Sequence, residues 1–157
     1  MLVSPSELID ILKSQGLKLA LAESCTGGMI ATSITDVPGS SAVLERGYIT
    51  YSNQSKIDCL GVSKATLANQ GAVSAETAKE MATGALNNSQ ADIALSVTGI
   101  AGPDGGTTEK PVGLVYFGLA YKKSKEVKTF EKRFSGDRFD IRSQASNFAR
   151  FILEKHL

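Results

Sequence analysis

The stretch "LALAESCTGG", residues 19–28, passes from a short apolar run into a polar, glycine-rich turn. The apolar run is typical of a buried strand, and the segment "CTGGMIATSITDVPG" predicts a helix that ends at its proline and glycine. A strand, a turn and a helix in this order form the repeating unit of α/β proteins. The turn carries Glu23, Ser24 and Cys25, so an acid, a hydroxyl and a thiol lie side by side at a strand end.

The rest of the chain continues this alternation to about residue 100. Two further strands are predicted in "AVLERGYITYS" and "ADIALSVTG", and short helices in "NQSKIDCLG" and "SKATLANQG". Capping residues predict helix starts at Ser4, Ser74 and Asp137, and "LVYFGLAYK" with "EVKTFEKRFS" predicts a β-hairpin. This order predicts an α/β fold: a three-layer α/β/α domain with a mixed, largely parallel sheet, forming one domain over residues 1–157.

Charge and cysteine content narrow the classes of protein. The 157 residues include 17 Lys and Arg against 16 Asp and Glu, a formal charge of +1, which predicts no basic surface for nucleic acid or a membrane. We expect no signal peptide and no transmembrane helix, because no basic leader segment or long apolar stretch is present. Cys25 and Cys59 are too few for a disulfide framework, so we expect a reduced, cytoplasmic protein.

Reactive polar residues follow three of the predicted strands. In an open α/β sheet, ligands bind beyond the carboxyl ends of the strands. The residues at these ends are Glu23, Ser24, Cys25 and Thr26 in the first set, Tyr51, Ser52, Asn53 and the nearby Lys56 in the second, and Ser96, Thr98 and Gly99 in the third. If the three strands run parallel, the sets converge at one edge of the sheet, which favours a catalytic site there.

Ser24 has two interpretations. At a strained turn before a helix it is a candidate nucleophile, with Gly27 and Gly28 allowing a substrate to approach and the first helical amides holding an oxyanion or a phosphate. Serine is also a preferred N-cap, which is the more common use. Cys25 is a rival nucleophile, since a thiol at a helix N-terminus has a lowered pKa, although inert buried cysteines are more common.

The base available to Ser24 decides between nucleophile and cap. His156 is the only histidine and the penultimate residue, so a Ser-His-Asp triad is out of reach. A lysine kept neutral by burial is the known alternative, and Lys56 lies among apolar residues after a strand end. Tyr51 is a candidate to relay or orient the proton through its phenol. A solvated helical lysine is the competing interpretation of Lys56.

The remaining polar features are less specific. No spacing of Cys and His matches a metal site, so no metal is predicted. The segment "TGIAGPDGGTTEKPVG" fits a lid, a ligand-binding loop or a plain connection. Arg138, beside Asp137 at a helix start, either binds a phosphate or pairs with its neighbour on the surface.

Six segments together resemble the CinA C-terminal domain family, in the family's order from about Ser4 to about Leu153. They are "LALAESCTGG", "PGSS", "GYITYSNQSKIDCLGV", "GAVSAETAKEMA", "VTGIAGPDGGTTEKPVG" and "GDRFDIRSQA". The resemblance implies the activity of the family's stand-alone members, which are amidohydrolases that convert nicotinamide mononucleotide and water to nicotinate mononucleotide and ammonia. It implies neither a metal nor an organic cofactor.

The resemblance also implies roles for individual residues. Carried over by motif, Ser24 is the nucleophile, Lys56 the general base and Tyr51 its helper, while Ser41 is an alternative relay or nucleophile. An acyl-enzyme mechanism follows from these roles. The residues expected at the substrate or the oxyanion are Glu23, Thr26, Gly27, Gly28, Ser41, Thr98, Gly99 and Arg138.

Two other functions stay open on the sequence. A catalytically silent nucleotide-binding or regulatory module is compatible with the resemblance, because a protein can keep the fold of its family after it has lost the activity. A nucleic-acid-binding competence factor is suggested by the family's name, and the charge of +1 argues against it. We therefore expect a small-molecule partner, with no nucleic acid and no membrane. The apolar helix that carries Phe139, Phe148 and Phe151 predicts a homo-oligomer, in the simplest case a dimer.

Overall fold

The computed structural model describes residues 4–157, in which one five-stranded sheet is flanked by six α-helices. The strands are β1 (Leu19–Glu23), β2 (Leu44–Ile49), β3 (Ile93–Gly99), β4 (Leu114–Tyr121) and β5 (Val127–Arg133). The helices are α1 (Pro5–Ser14), α2 (Met29–Thr35), α3 (Asn53–Leu60), α4 (Lys64–Gln70), α5 (Ala75–Asn87) and α6 (Arg138–His156). A short 3-10 helix, Ser40–Ala42, precedes β2. Of the predicted domain, residues 1–3 lie outside the described part.

The sheet is mixed, with the order β2-β1-β3-β4-β5. Strand β1 pairs in parallel with both β2 and β3, whereas β3–β4 and β4–β5 are antiparallel. This confirms the predicted mixed sheet and the predicted hairpin. Because β1, β2 and β3 run in the same direction, their carboxyl ends lie at one edge, and residues of all three sets meet there. Ser96 of the third set is the exception, because it lies inside β3 and donates to the Ala78 carbonyl of α5 at 2.5 Å.

Alternating residue size in the strands separates two unequal cores. In β1, Leu19 and Leu21 belong to the larger core with α1, α2 and α6, while Ala20 and Ala22 belong to the smaller core with α3 and α5. The small residues let α5 lie close to the sheet, and at Gly118 of β4 even a Cβ would collide with the backbone of α5. Helices therefore cover both faces, which confirms the three-layer α/β/α arrangement.

Most helices begin where the sequence predicts. Ser4 forms a capping box with Glu7 at the start of α1, and Asp137 forms one at the start of α6. The Ser74 side chain accepts from the Thr77 amide at the start of α5. These predictions succeed because a cap is a local interaction between a side chain and the next turn of backbone.

The start of α2 differs from the prediction. The helix begins at Met29 instead of Cys25, and no side chain caps it from the Gly28 position. Gly27 and Gly28 have φ angles of +58° and +101°, which L-residues with a side chain rarely adopt. Two successive residues in this region cannot continue a helix, so residues 24–28 form a turn that separates Ser24 from α2.

The phenylalanines predicted for self-association occupy different environments. Phe148 packs edge-to-face against Phe117 and against Phe134 and stacks on Phe151, whereas Phe139 is 64% exposed. Self-association stays a prediction. Within residues 4–157, no helix has the length and apolar character needed to cross a membrane.

Candidate active site

Lys56 and Ser24 meet at the carboxyl edge of the parallel strands. Ser24 follows β1, and its amide donates to the Val97 carbonyl of β3. Lys56 lies near the start of α3, and its Nζ is 3.0 Å from Ser24 Oγ although the two residues are 32 positions apart. Lys56 is 1% exposed and Ser24 is 8% exposed. The structure thus places an amine and a hydroxyl from two strand ends in direct contact.

The Lys56 amine is buried without an acidic partner. Its other acceptors are the carbonyl oxygens of Thr50 at 2.7 Å and Tyr51 at 3.4 Å, and no ion pair of the described residues includes it. Burial is the main cause that lowers the pKa of Lys56, to about 8. With two N–H groups donated to the carbonyls, the third position of the amine faces Ser24 Oγ: the ammonium form donates there, and the neutral form can accept the serine proton. That is the arrangement a general base requires.

Ser24 and Lys56 open into a cavity of about 270 Å³. The predicted site residues that line it are Ser24, Tyr51, Lys56, Thr98, Gly99 and Arg138. Larger clefts of about 400 to 460 Å³ lie elsewhere on the described surface, but neither Ser24 nor Lys56 lines them. A concave site with a few convergent polar groups is typical of small-molecule binding.

The Tyr51 hydroxyl contacts Arg138 instead of the serine–lysine pair. Arg138 donates from Nη2 to Tyr51 Oη at 2.8 Å and from Nη1 to the Gly102 carbonyl at 2.6 Å. Tyr51 is 59% exposed, and only its carbonyl reaches Lys56. Among residues 4–157, the phenol therefore has no hydrogen bond to Ser24 or Lys56 through which to relay a proton, and like Arg138 it lines the cavity.

Glu23 binds its own segment instead of facing the cavity. Its carboxylate accepts from Thr26 Oγ1 at 2.7 Å and from the amides of Gly28, Ile30 and Ala31 at 3.0 to 3.2 Å. The expectation that the first amides of this helix bind an oxyanion or a phosphate is therefore wrong, because a carboxylate already occupies them. Glu23 supplies the negative charge and the cap that the start of α2 requires.

Thr26, Gly27 and Gly28 shape the turn without lining the cavity. Thr26 is buried, and the Gly27 amide donates to the Ser24 carbonyl at 3.0 Å. The prediction that Gly27 and Gly28 let a substrate approach the backbone is wrong, because neither glycine lines the cavity. They supply the positive φ angles described above.

Cys25 lines the cavity, but its thiol is protonated and therefore a weak nucleophile. Burial raises its pKa to about 11, so the thiol stays protonated at neutral pH. The predicted lowering of this pKa is wrong, because Cys25 precedes α2 by four residues and is not at the helix start. Ser24, in contact with Lys56, is the better placed nucleophile.

The remaining predicted residues divide between the cavity and the opposite edge of the sheet. Thr98 is buried against the Ala72 carbonyl at 2.8 Å, and Gly99 ends β3 where a Cβ would collide with β4. Ser41 is exposed in the 3-10 helix before β2, at the edge opposite to Ser24. Within one chain, the structure does not bring Ser41 to the cavity.

The loop after β3 contributes more residues to the cavity than the sequence predicts. Residues Gly102, Asp104 and Gly105 line the cavity, as does Asn53 at the start of α3. The glycine and proline content of "AGPDGG" is the signal for a loop that approaches a ligand closely, although it does not identify Asp104 as a lining residue. No group of three or more His, Cys, Asp or Glu side chains within residues 4–157 is arranged to hold a metal ion.

Sequence comparisons find relatives of two lengths. A relative named nicotinamide-nucleotide amidohydrolase PncC, from Enterobacter agglomerans, is 54% identical over 91% of this chain and 87% of its own length. The Escherichia coli K12 protein of that name is 51% identical over 88% of this chain and 83% of its own. A longer relative from Caldicellulosiruptor saccharolyticus, whose name refers to competence-damage induction, is 57% identical over 94% of this chain. The chain spans only 36% of that longer relative.

Solved structures and the family model agree with this relationship. The crystal structure of the competence/damage inducible protein CihA from Agrobacterium tumefaciens superposes with a TM-score of 0.93 at 45% identity, covering 96% of this chain and 92% of that one. A CinA superfamily protein from Escherichia coli gives 0.92 at 35% identity, over 98% and 88%. The model of the CinA C-terminal domain matches residues 4–157. The chain therefore belongs to the CinA C-terminal domain family.

Proposed function

We propose that the chain is an amidohydrolase that converts nicotinamide mononucleotide and water to nicotinate mononucleotide and ammonia. The observation that carries the proposal is the 3.0 Å contact between a buried lysine amine and the Ser24 hydroxyl at a cavity. A serine activated by a neutral lysine is an established device for acyl transfer. The PncC relatives, which this chain matches over most of their length, carry that activity in their name.

Acylation begins with proton transfer from Ser24 Oγ to the neutral Lys56 Nζ. Ser24 Oγ then attacks the carboxamide carbon of the pyridine ring, and the carbonyl oxygen becomes an oxyanion. We assign its stabilisation to the amide of Cys25, which follows the nucleophile in the chain and belongs to a residue that lines the cavity. The Lys56 ammonium returns the proton to the nitrogen, the carbon–nitrogen bond breaks, and ammonia leaves an ester on Ser24.

Deacylation repeats these steps with water. Neutral Lys56 takes a proton from water, and the resulting hydroxide attacks the ester carbon. The bond to Ser24 Oγ breaks, the serine regains its proton from Lys56, and nicotinate mononucleotide is released. The carbonyls of Thr50 and Tyr51 hold the amine in place through both half-reactions.

The charges at the cavity complement those of the proposed substrate. Nicotinamide mononucleotide combines an anionic phosphate with a cationic pyridinium ring. Arg138 supplies a cation at the mouth, and Asp104 is the carboxylate that lines the cavity. We therefore assign Arg138 to the phosphate and Asp104 to the ring, with Tyr51 supplying an aromatic surface beside Arg138.

The test is release of ammonia from nicotinamide mononucleotide by the purified chain, with free nicotinamide as the control substrate. Ser24→Ala and Lys56→Ala are each expected to lower kcat by about 10³-fold or more while the circular dichroism spectrum is kept. Lys64→Ala, which changes an exposed lysine on the neighbouring α4, is the matched control and is expected to keep wild-type activity.

Two outcomes contradict the proposal, one its mechanism and the other its function. Full activity in either Ser24→Ala or Lys56→Ala overturns the mechanism. Calorimetric binding of the mononucleotide by wild type without any ammonia overturns the amidase function and favours a silent nucleotide-binding module.

A further inference from the structure

Helix α6 reaches the active site through two arginines one turn apart. Arg138 contacts the mouth of the cavity, as described above. Arg142 is half-buried, and its Nε donates to the Cys25 carbonyl at 3.0 Å while its Nη2 donates to the Thr26 carbonyl at 3.1 Å. The guanidinium thus binds the two residues that directly follow Ser24, although it is more than 110 positions away in the chain.

The contacts of Arg142 are unusual for a half-buried arginine. Guanidinium groups away from bulk water normally pair with a carboxylate, which matches their charge and their planar fork. The ion pairs of the described residues join Arg46 with Glu45 and Arg133 with Glu131, and Arg142 is in neither. Its charge-assisted hydrogen bonds go to neutral main-chain oxygens of a single turn.

The same turn is held from its other side by Glu23. The Glu23 carboxylate accepts from the amides of residues 28, 30 and 31, and Arg142 donates to the carbonyls of residues 25 and 26. The carboxylate of Glu23 thus holds N–H groups of this backbone, and the guanidinium of Arg142 holds its carbonyl groups. Together the two side chains restrict movement of the turn. Ser24 lies at the start of this backbone, and a displacement of about 1 Å in a reacting group costs up to about 100-fold in rate.

We propose that Arg142 is a positioning residue, which holds the turn after β1 so that Ser24 Oγ stays within hydrogen-bond reach of Lys56 Nζ. This inference rests on the proposed function for its substrate assay. Arg142 does not line the cavity and does not contact Lys56. Its effect is therefore on the rate of the chemical step and not on the binding of substrate.

The experiment compares Arg142→Ala and Arg142→Lys with wild type in steady-state hydrolysis of nicotinamide mononucleotide. Arg142→Ala is expected to lower kcat by about 10- to 100-fold with KM within about threefold. Arg142→Lys is expected to recover part of this loss, because an ammonium donates to one of the two carbonyls. Arg150→Ala is the matched control, since Arg150 lies on the same helix and bonds to Asn147 of that helix.

A second measurement is independent of the substrate. The rate of modification of Ser24 by a fluorophosphonate reports the reactivity of the nucleophile, and Arg142→Ala is expected to lower it in parallel with kcat. The pH at which kcat/KM is half-maximal is expected to stay unchanged, because Arg142 acts through geometry. If Arg142→Ala does not fold, Arg142→Lys with the same two measurements carries the test.

Three results overturn the inference: an unchanged kcat, a rise in KM alone, or an equal loss in Arg150→Ala. Failure of the proposed function has a different signature. In that case wild type releases no ammonia from the mononucleotide, and the fluorophosphonate rates of wild type and the Arg142 variants still decide whether Arg142 positions Ser24.

Discussion

Two connections at the active site join a parallel strand to a helix, and they use serine in opposite ways. In the β2–α3 connection, Ser52 is the N-cap of α3, and its hydroxyl accepts from the Ser55 amide at 3.1 Å. In the β1–α2 connection, Ser24 caps nothing, and the amides of α2 are bound by Glu23. One hydroxyl is engaged in helix formation, and the other is in contact with Lys56.

The difference shows how a serine beside a helix becomes available for chemistry. The first amides of a helix need an acceptor, and a nearby serine normally provides it. Here Glu23 provides it instead, and two glycines with positive φ move the helix start to Met29. The Ser24 hydroxyl is then left for Lys56, which the second connection supplies together with its carbonyls.

The largest expected effect comes from removing the amine supplied by the β2–α3 connection. Lys56→Met keeps the length of the side chain, abolishes proton transfer, and is expected to lower kcat by about 10³-fold or more. It also removes a buried polar group without an acidic partner, so the free energy of unfolding at pH 7 is expected to rise by about 1–2 kcal/mol. Ammonia release and urea denaturation measure the two effects.

The stability gain of Lys56→Met has a predictable pH dependence. The pKa of Lys56 is lowered to about 8 in the folded protein, from 10.5. Between these values the unfolded chain binds more protons, so the free energy of unfolding of wild type rises as the pH rises from 8 to 10.5. The advantage of the variant therefore shrinks over that range. A difference in free energy of unfolding between Lys56→Met and wild type that stays constant from pH 8 to 10.5 contradicts a lowered pKa of Lys56 in the folded protein.

The same lowered pKa predicts the pH profile of the reaction. Neutral Lys56 is the active form, so kcat/KM is expected to rise about tenfold per pH unit below 8 and to level off above it. Between pH 6 and pH 8 the increase is roughly 50-fold, from the fraction of neutral amine. A profile that is flat over this range, or that rises only near pH 10, argues against Lys56 as the base.

Much of this arrangement is readable from the sequence, because its determinants are local. The apolar run of residues 19–22 predicts a buried strand, and Ser74 and Asp137 mark helix starts. The convergence of Ser24 with Lys56 follows from parallel strands, whose carboxyl ends share one edge.

What the sequence does not predict depends on side-chain direction and on distant partners. Glu23 turns to the amides of α2, whose start the positive φ angles of Gly27 and Gly28 place four residues after Cys25. The Tyr51 phenol turns to Arg138, which belongs to a helix 87 positions later in the chain. The direction of each side chain is set by contacts that form only in the folded chain, so the pattern of residues around Glu23 or Tyr51 does not predict it.

A smaller effect is expected from weakening the cap of the β1–α2 connection. Glu23→Gln keeps the shape of the side chain but turns an amide nitrogen toward a backbone donor. The loss of a buried acceptor is expected to lower the free energy of unfolding by about 2 kcal/mol and kcat by about tenfold, because the Ser24 turn loosens. Glu76→Gln, at an exposed acid in the first turn of α5, is the control and should change neither quantity appreciably.

The smallest expected effect is that of Ser52→Ala, and comparing this variant with Ser24→Ala is the most direct test of the two connections. Ser52→Ala removes a helix cap and is expected to lower the free energy of unfolding by about 1 kcal/mol, with kcat within about twofold of wild type. Ser24→Ala should do the reverse, losing activity without the loss of stability that follows from an uncapped helix. If Ser24→Ala also lowers the free energy of unfolding by about 1 kcal/mol, Ser24 stabilises the start of α2 as a cap does. That result contradicts the assignment of the cap to Glu23 alone.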